Sequence, residues 1–525
     1  MKKLLSHAVL LLTAITCLHA FETPYFTGYA GFLGNITSSP NNYRKPDKEE
    51  DTFSEQIEHT FADPQLFVQG YFGGQLQFKD FLILRGEFGV DSNRYDPLDT
   101  NPYMPKIKDN STVYTPAPKS RSIIGKNFLD KPSNLNSIFQ VNEASAVFKL
   151  QTSTVTHYLS LFYGEYEPIG SDVFLQRQFG IAPIRSDLTS SFNSLNGTSI
   201  NESYGAGFSY VLHLASPIAA GLYLYKDRNE NYDGVYQSWK NDPSDRLSRS
   251  KQEAFNADFR VAGAFDYLTF DFRTGLALPE DTNEGSVENG FMNINYLSLK
   301  AGMSVLAGKP TSMFNVLLQT GFSDLLLDPG YVKTPKWKET DDGLVENKSV
   351  FNWNNAAENF YFLLEPRLNL RKAKFSVTAF NIPYSQANKM FYLNNYNGGV
   401  DHREDYMNEK RRNCYVRPYL NPCGIDLHAS TDFLQLGDKN LTTGMHVTLS
   451  MGGQTLMDLY RDSKSDKKEG NKHYWNKTAF ITPYAKIPVH GGEVFAAATV
   501  STHIFDKQDN WPSSVSVKVG FKINF

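Results

Sequence analysis

The stretch Val515-Ser516-Val517-Lys518-Val519-Gly520-Phe521-Lys522-Ile523-Asn524-Phe525, VSVKVGFKINF, decides the fold class. Every odd-numbered position is apolar, and every even-numbered one is polar or glycine. Side chains of a β-strand point alternately to its two faces, so this strand has one apolar and one polar face. A half-buried strand of a soluble sandwich and a wall strand of a membrane barrel share that pattern. The rest of the chain has to separate them.

The alternation recurs. PQLFVQGYFGGQLQF sets Leu66, Val68, Phe72, Leu76 and Phe78 against Gln65, Gln69, Gln75 and Gln77. FLILRGEFGV sets Leu82, Leu84, Phe88 and Val90 against Arg85 and Glu87. SYGAGFSYVLHL and LTTGMHVTLSMG repeat the scheme. Runs of about 9 to 14 residues suit tilted strands that cross a bilayer. In AFNADFRVAGAFDYLTFDFRTGLAL the apolar parity switches from odd to even, so apolar residues face each other only if paired numbers sum to an odd value. A tight turn centred between Phe265 and Asp266 pairs Phe259 with Phe272 and Val261 with Phe270. The same register sets Asp258 opposite Arg273 and Arg260 opposite Asp271, which are favourable cross-strand pairs. This predicts a charged, wet inner face.

Short turns are expected near 79–80, 151–154, 215–217, 265–266, 307–310, 371–374, 437–440 and 488–492. Between them lie long polar segments, among them 91–137, 167–202, 326–357 and 387–428. The alternation predicts an all-β fold: a transmembrane antiparallel β-barrel of about 18 strands (16–18), with short periplasmic turns and long outer loops. The strand at 429–436 is short and poorly patterned, and Pro366 and Pro483 interrupt predicted strands.

The start of the chain, MKKLLSHAVLLLTAITCLHA, has Lys2, Lys3, an apolar core and a small residue before the cut. It predicts a signal peptide over 1–20 and a single barrel domain over 21–525. Cys17 leaves a lipoprotein as the weaker alternative. No later stretch is apolar enough for a membrane helix, and the mean hydropathy is -0.41. Aromatic residues nevertheless make up 14 %, which suits many amphipathic strands. A net charge of -4 argues against nucleic acid as a partner. Cys414 and Cys423 are expected to close a small exposed loop as a disulfide, with a turn at Pro422-Cys423-Gly424.

VSVKVGFKINF also resembles the C-terminal strand of bacterial outer-membrane β-barrel proteins, the porin and channel class. In that class the terminal aromatic and the alternating apolar residues are read by the barrel-assembly machinery. The matching positions are Val519, Phe521, Ile523 and Phe525. The resemblance implies an outer-membrane location and outer-membrane lipid around the wall; a closed barrel has no free edge, so its last strand pairs with its first.

A barrel of this size leaves a water-filled lumen. The expected function is a porin or substrate-selective channel for passive diffusion of small polar solutes. The alternative is a scaffold whose long surface loops act as an adhesin or bind a host ligand. The lumen lining is expected to include Arg85, Glu87, Asp258, Arg260, Asp271, Arg273, Glu365 and Arg367, with charges of both signs. The third long loop holds SDVFLQRQFGIAPIRSDL, whose apolar residues should seek cover in the lumen. Arg177, Arg185 and Asp187 are its constriction candidates. Asp227, Asn229, Asn231 and Asp233 have a weak Ca²⁺-like spacing, though an Asn/Asp turn is the stronger reading. His402 and His428 read as solvated loop residues. No catalytic motif, metal signature or cofactor motif stands out. The sequence leaves monomer and trimer open.

Overall fold

The structure is a computed structural model. It describes residues 24–38, 64–91, 105–108, 111–114, 139–181, 184–189, 200, 204–228, 253–279, 297–327, 337–340, 343–346, 360–383, 386, 390, 392, 422–436, 439–452, 476–503 and 514–525. The wall strands are β1 (Tyr25–Ser38), β2 (Pro64–Phe78), β3 (Leu82–Asp91), β4 (Phe139–Gln151), β5 (Val155–Glu165) and β6 (Tyr204–Leu214). They continue as β7 (Ile218–Arg228), β8 (Glu253–Ala264), β9 (Leu268–Pro279), β10 (Leu297–Ala307), β11 (Phe314–Leu327) and β12 (Phe360–Asn369). The last six are β13 (Ala373–Asn381), β14 (Cys423–Leu436), β15 (Lys439–Gly452), β16 (Asn476–Val489), β17 (Gly492–His503) and β18 (Ser514–Asn524). Each pairs antiparallel with its neighbours in one 18-stranded sheet, and β1 pairs with both β2 and β18, so the sheet closes into a barrel. A closed sheet leaves no unpaired edge, the condition for a sheet to stand in hydrocarbon.

The seam shows how the closing strand sits. Phe32 opposes Phe521 in register, with ring centroids 6.1 Å apart. Phe525 exchanges backbone hydrogen bonds with Gly28: Gly28 N–H donates at 2.6 Å and Phe525 N–H at 2.8 Å. The Phe525 ring lies over Gly28, where any side chain would collide with it.

The two faces divide as the alternation predicts. Outward residues such as Leu161, Phe259, Phe272, Leu427 and Val519 are exposed apolar groups, while Asp258, Arg260, Asp271, Glu365 and Asp426 point inward and are buried. An apolar exterior around a polar interior is the inverse of a soluble protein, and it fits a lipid-facing wall. Among the described residues no helix is long and apolar enough to cross a membrane; the crossing elements are strands.

Several expectations need correction. The β8–β9 hairpin turns at Asp266-Tyr267, one position later than expected, closed by Phe265 N–H donating to the Leu268 carbonyl at 2.8 Å. The register therefore pairs Val261 with Phe272, Phe259 with Thr274 and Arg260 with Arg273. The parity is unchanged, so both faces keep their character. Asp258 lies opposite Gly275, where an added Cβ would strike its carboxylate, and Asp271 lies opposite Ala262. Small residues opposite the acids give the arginines room to reach diagonally, and both ion pairs survive the shift.

The poorly patterned strand is instead the 14-residue β14, beginning at Cys423. Pro422-Cys423-Gly424 is thus a strand entry and not a turn, and His428 is a buried inward residue and not a solvated loop one. Cys423 is a buried residue at the start of β14, while Cys414 and His402 lie outside the described residues. The same holds for the expected signal peptide and for Asn229, Asn231 and Asp233; Asp227 lies near the end of β7. Two short hairpins, Pro105–Lys108 with Ser111–Tyr114 and Trp337–Thr340 with Gly343–Glu346, occur within segments expected to be loop.

Pro366 and Pro483 do stand inside wall strands, pairing with Val316 and Met445 on one side. On the other side each leaves a gap in the ladder, at Glu365/Pro366 in β12–β13 and at Thr482/Pro483 in β16–β17. Side chains span both gaps: Thr378 Oγ1 donates to Glu365 at 2.8 Å, and the Thr482 and Thr499 hydroxyls are 3.0 Å apart.

Candidate functional site: a loop laid across the lumen

The chain leaves β5 at Glu165 and turns into the barrel. Tyr166 stacks on Phe162, with centroids 4.5 Å apart, and its hydroxyl donates to Ser160 at 2.9 Å. Glu167, Gly170 and Asp172 all have positive φ, at 48°, 85° and 63°. Three left-handed residues so close together fold the backbone sharply; at Gly170, packed against Ile200, a side chain would also have no space. The helix α1 (Val173–Phe179) follows, with Val173, Phe174 and Leu175 buried, and ends at left-handed Gly180.

The loop's apolar residues account for its position. Ile169, Phe174, Leu188 and Ile200 pack in one cluster with Leu306, Leu317, Tyr361 and Leu363 of the wall. Those wall residues are inward-facing and apolar, an exception to the polar-in rule. Burying a side chain of this size contributes about 1.5–3 kcal/mol relative to leaving it in water.

Polar anchors fix the loop in place. Arg177 Nη2 donates to both oxygens of Glu143, at 2.9 and 2.7 Å, and Arg177 also reaches Glu167 at 3.4 Å. Burial opposes the Arg177 charge, but Glu143 and Glu167 outweigh it and hold the guanidinium protonated. The Glu167 carboxylate also accepts from the Tyr223 hydroxyl at 2.9 Å. Its backbone carbonyl accepts from Arg260 at 2.5 Å and lies 3.4 Å from Arg273. Arg260 is paired with Asp271, and Arg273 with Asp258 at 2.5 Å. The Arg260 guanidinium covers the Phe174 ring at 4.1 Å. Further along, Gln319 donates to the Gly170 carbonyl at 3.1 Å. Ser186 bonds Glu365, and Arg367 donates to the Arg185 carbonyl at 2.9 Å. Lys374 pairs with Asp187 at 2.7 Å. Burial would raise the Asp187 carboxyl, yet Lys374, Lys486 and His428 hold it well below the usual carboxylate range.

The segment thus runs from Glu143 on β4 to Lys374 on β13 and His428 on β14. Six of the eight sequence-predicted lining residues, Asp258, Arg260, Asp271, Arg273, Glu365 and Arg367, point inward but are buried beneath it. The wet inner face expected of them is therefore a dry anchoring surface. Buried charges of this kind require partners, because an unpaired one costs several kcal/mol.

Arg85 and Glu87 lie on β3, Glu87 buried and directly opposite the anchor Glu143. Arg85 donates to Gln75 at 3.0 Å and keeps part of its surface open. Glu87 accepts from the Tyr29 hydroxyl at 2.8 Å and from Asn142 at 2.7 Å.

A second inward group was missed by the sequence reading. Ile382, Gln386, Met390 and Tyr392 are buried, and Gln386 donates to the Ile200 carbonyl at 2.9 Å. Tyr392 lies on His446 at 4.0 Å, and His446 stacks on His428 at 4.2 Å. The signal available was the pair of apolar runs Val316-Leu317-Leu318 and Tyr361-Phe362-Leu363-Leu364, which break the alternation. A wall strand apolar on both faces needs something apolar inside the barrel.

No family model matches this chain, and no curated protein matches it. Solved structures with a likeness include the outer membrane protein OpdK of Pseudomonas aeruginosa, at 8 % identity and TM-score 0.42, covering 95 % of this chain and 99 % of that one. Acinetobacter baumannii OccAB3 gives 9 % identity and TM-score 0.42, with 95 % and 99 % coverage. Salmonella typhi OmpF, solved in complex with daunomycin, gives 11 % identity and TM-score 0.35, with 96 % and 98 % coverage.

Proposed function

We propose that the protein is an outer-membrane channel through which small polar solutes diffuse, and that segment 166–200 is its constriction. The observation that carries this reading is the loop itself. Its described residues, 166–181, 184–189 and 200, lie inside an 18-stranded barrel, anchored along β4–β14, while Arg85, Arg185 and Lys522 keep part of their surface open. A barrel of this circumference without an inner loop is a wide pore, and a loop held by charge pairs narrows it to a fixed shape. The apolar exterior fits outer-membrane lipid. Cleavage after Ala20, recognition of Phe521, Ile523 and Phe525 by the assembly machinery, and a Cys414–Cys423 disulfide belong to the same proposal.

The test is single-channel recording of the mature chain, residues 21–525, refolded and inserted in a planar bilayer. Discrete steady current steps are expected. A folded barrel that stays silent would remove the channel reading and leave the surface-scaffold alternative.

A further inference from the structure

The constriction loop is not alone inside the barrel. Ile382, Gln386, Met390 and Tyr392 follow β13 and are buried there too. Ile382 N–H donates to the Pro422 carbonyl at 3.0 Å as the chain leaves the wall. This second group meets the loop at two places. At the first, Gln386 Nε2 donates to the Ile200 carbonyl at 2.9 Å. Ile200 N–H in turn donates to the Ile169 carbonyl at 2.7 Å, and its side chain fills the space over Gly170. Gly170 is one of the left-handed residues that turn the loop inward. Gln386 therefore holds the residue that closes that turn.

The second place is Asp187. Its ion pair with Lys374 spans 2.7 Å, but the side chains are 33 % and 30 % exposed, and a pair that water reaches holds weakly. Buried rings stand behind it. His428 Nδ1 lies 3.7 Å from Asp187 Oδ2. The His428 ring is fixed at both nitrogens, Nε2 lying 2.8 Å from the Tyr484 hydroxyl and Nδ1 3.3 Å from Ser376 Oγ. His446 stacks on His428, with centroids 4.2 Å and planes 14° apart, and its Nδ1 is 2.8 Å from Asp426 Oδ2. Tyr392 covers His446 at 4.0 Å and lies 5.8 Å from Tyr484. Tyr392, His446 and His428 form a continuous stack that ends at the carboxylate of the constriction. Close-packed rings transmit a displacement, so moving the outermost one disturbs the rest.

We propose that Tyr392 and Gln386 are positioning residues for the constriction: they clamp the loop, and Asp187 keeps its place in the passage only while the Tyr392 ring lies on His446. The proposal rests on the channel reading above. In it the Lys374–Asp187 pair is the wet end of a clamp whose fixed part is the ring stack.

The experiment measures how fast a charged thiol reagent labels Arg185→Cys, two residues from Asp187, in the detergent-solubilised mature chain with Cys414 and Cys423 changed to serine. Tyr392→Ala and Gln386→Ala should each raise the labelling rate by roughly threefold or more. Tyr392→Phe keeps the ring and should leave the rate unaltered. If Tyr392 acts through Asp187, Tyr392→Ala should add little to the faster rate of Asp187→Asn; full additivity would overturn the route. A role in stability alone would lower the unfolding midpoint of Tyr392→Ala without changing the rate, and that result would overturn the proposal. So would a phenylalanine variant labelled as fast as the alanine one. In a planar bilayer Tyr392→Ala should give larger and noisier current steps than the native chain, and identical steps would count against the clamp. A silent native chain would count against the channel reading alone, because labelling is read without conduction.

Discussion

Arg260 and Arg185 are both arginines inside the same barrel, and their surroundings give them opposite tasks. Arg260 is fully buried, paired with Asp271, stacked over Phe174 and bonded to the Glu167 carbonyl. Arg185 sits on the loop that Arg260 helps to hold, and among the described residues its guanidinium has no carboxylate in hydrogen-bonding reach, Asp172 Oδ2 lying 3.9 Å from Nε. The covered half of the wall spends its charges on architecture. On the half formed by β16–β18 and β1–β3, Arg85, Lys486, Glu493 and Lys522 keep part of their surface open, while Glu87 and Lys518 are buried. The two arginines therefore divide by whether a carboxylate of the wall meets them.

The sharpest way to break this division is to empty an anchor. Arg260→Ala leaves Asp271 buried without its partner, a loss of about 3–5 kcal/mol. It should also release the Glu167 carbonyl, so single-channel conductance should rise and become noisy, with a lower unfolding midpoint in denaturant. Unchanged conductance would mean the loop does not depend on the covered wall.

A smaller effect is expected from Asp172. Burial pushes its carboxyl up to about 6, with Arg185 and the hydrogen bonds from the Ile184 backbone and Gln176 opposing that rise. The groups facing it are Arg185, Gln176 and, at longer range, Lys522. The packed loop holds the proton more tightly than a free carboxyl would. Its contribution is therefore fully present below the ordinary carboxylate range and is lost as pH rises through about 6. Current fluctuations should be greater at pH 7.5 than at pH 5, and Asp172→Asn should be equally quiet at both.

The smallest effect belongs to the proline gaps. Thr378→Val removes one donor to Glu365 where the ladder is interrupted, and should lower stability by about 1 kcal/mol with conductance unchanged. A large conductance change would show that the gap couples to the loop.

Much of this was legible in the sequence, because strand alternation is local. It yields the barrel, the strand number, the inward face of Asp258, Arg260, Asp271 and Arg273, and the inward tendency of the third loop. The hairpin register missed by one turn position, since parity fixes the faces but not the turn. β14 escaped because Gly424, His428 and Ser430 resemble loop residues until a neighbouring strand pairs with them. That the charged face is dry was not legible, because it depends on Glu167, Ser186 and Arg185 meeting β8, β9 and β12 across long chain separations. The continuous apolar runs of β11 and β12 were the visible trace of that meeting.

The most direct test of the loop as the constriction places a cysteine at its open position. Arg185→Cys, in a chain with Cys414 and Cys423 changed to serine, is recorded in a bilayer while a charged thiol-reactive reagent is added. If segment 166–200 narrows the passage, each channel should lose current in one irreversible step. Labelling of the cysteine with no change in current would contradict the account.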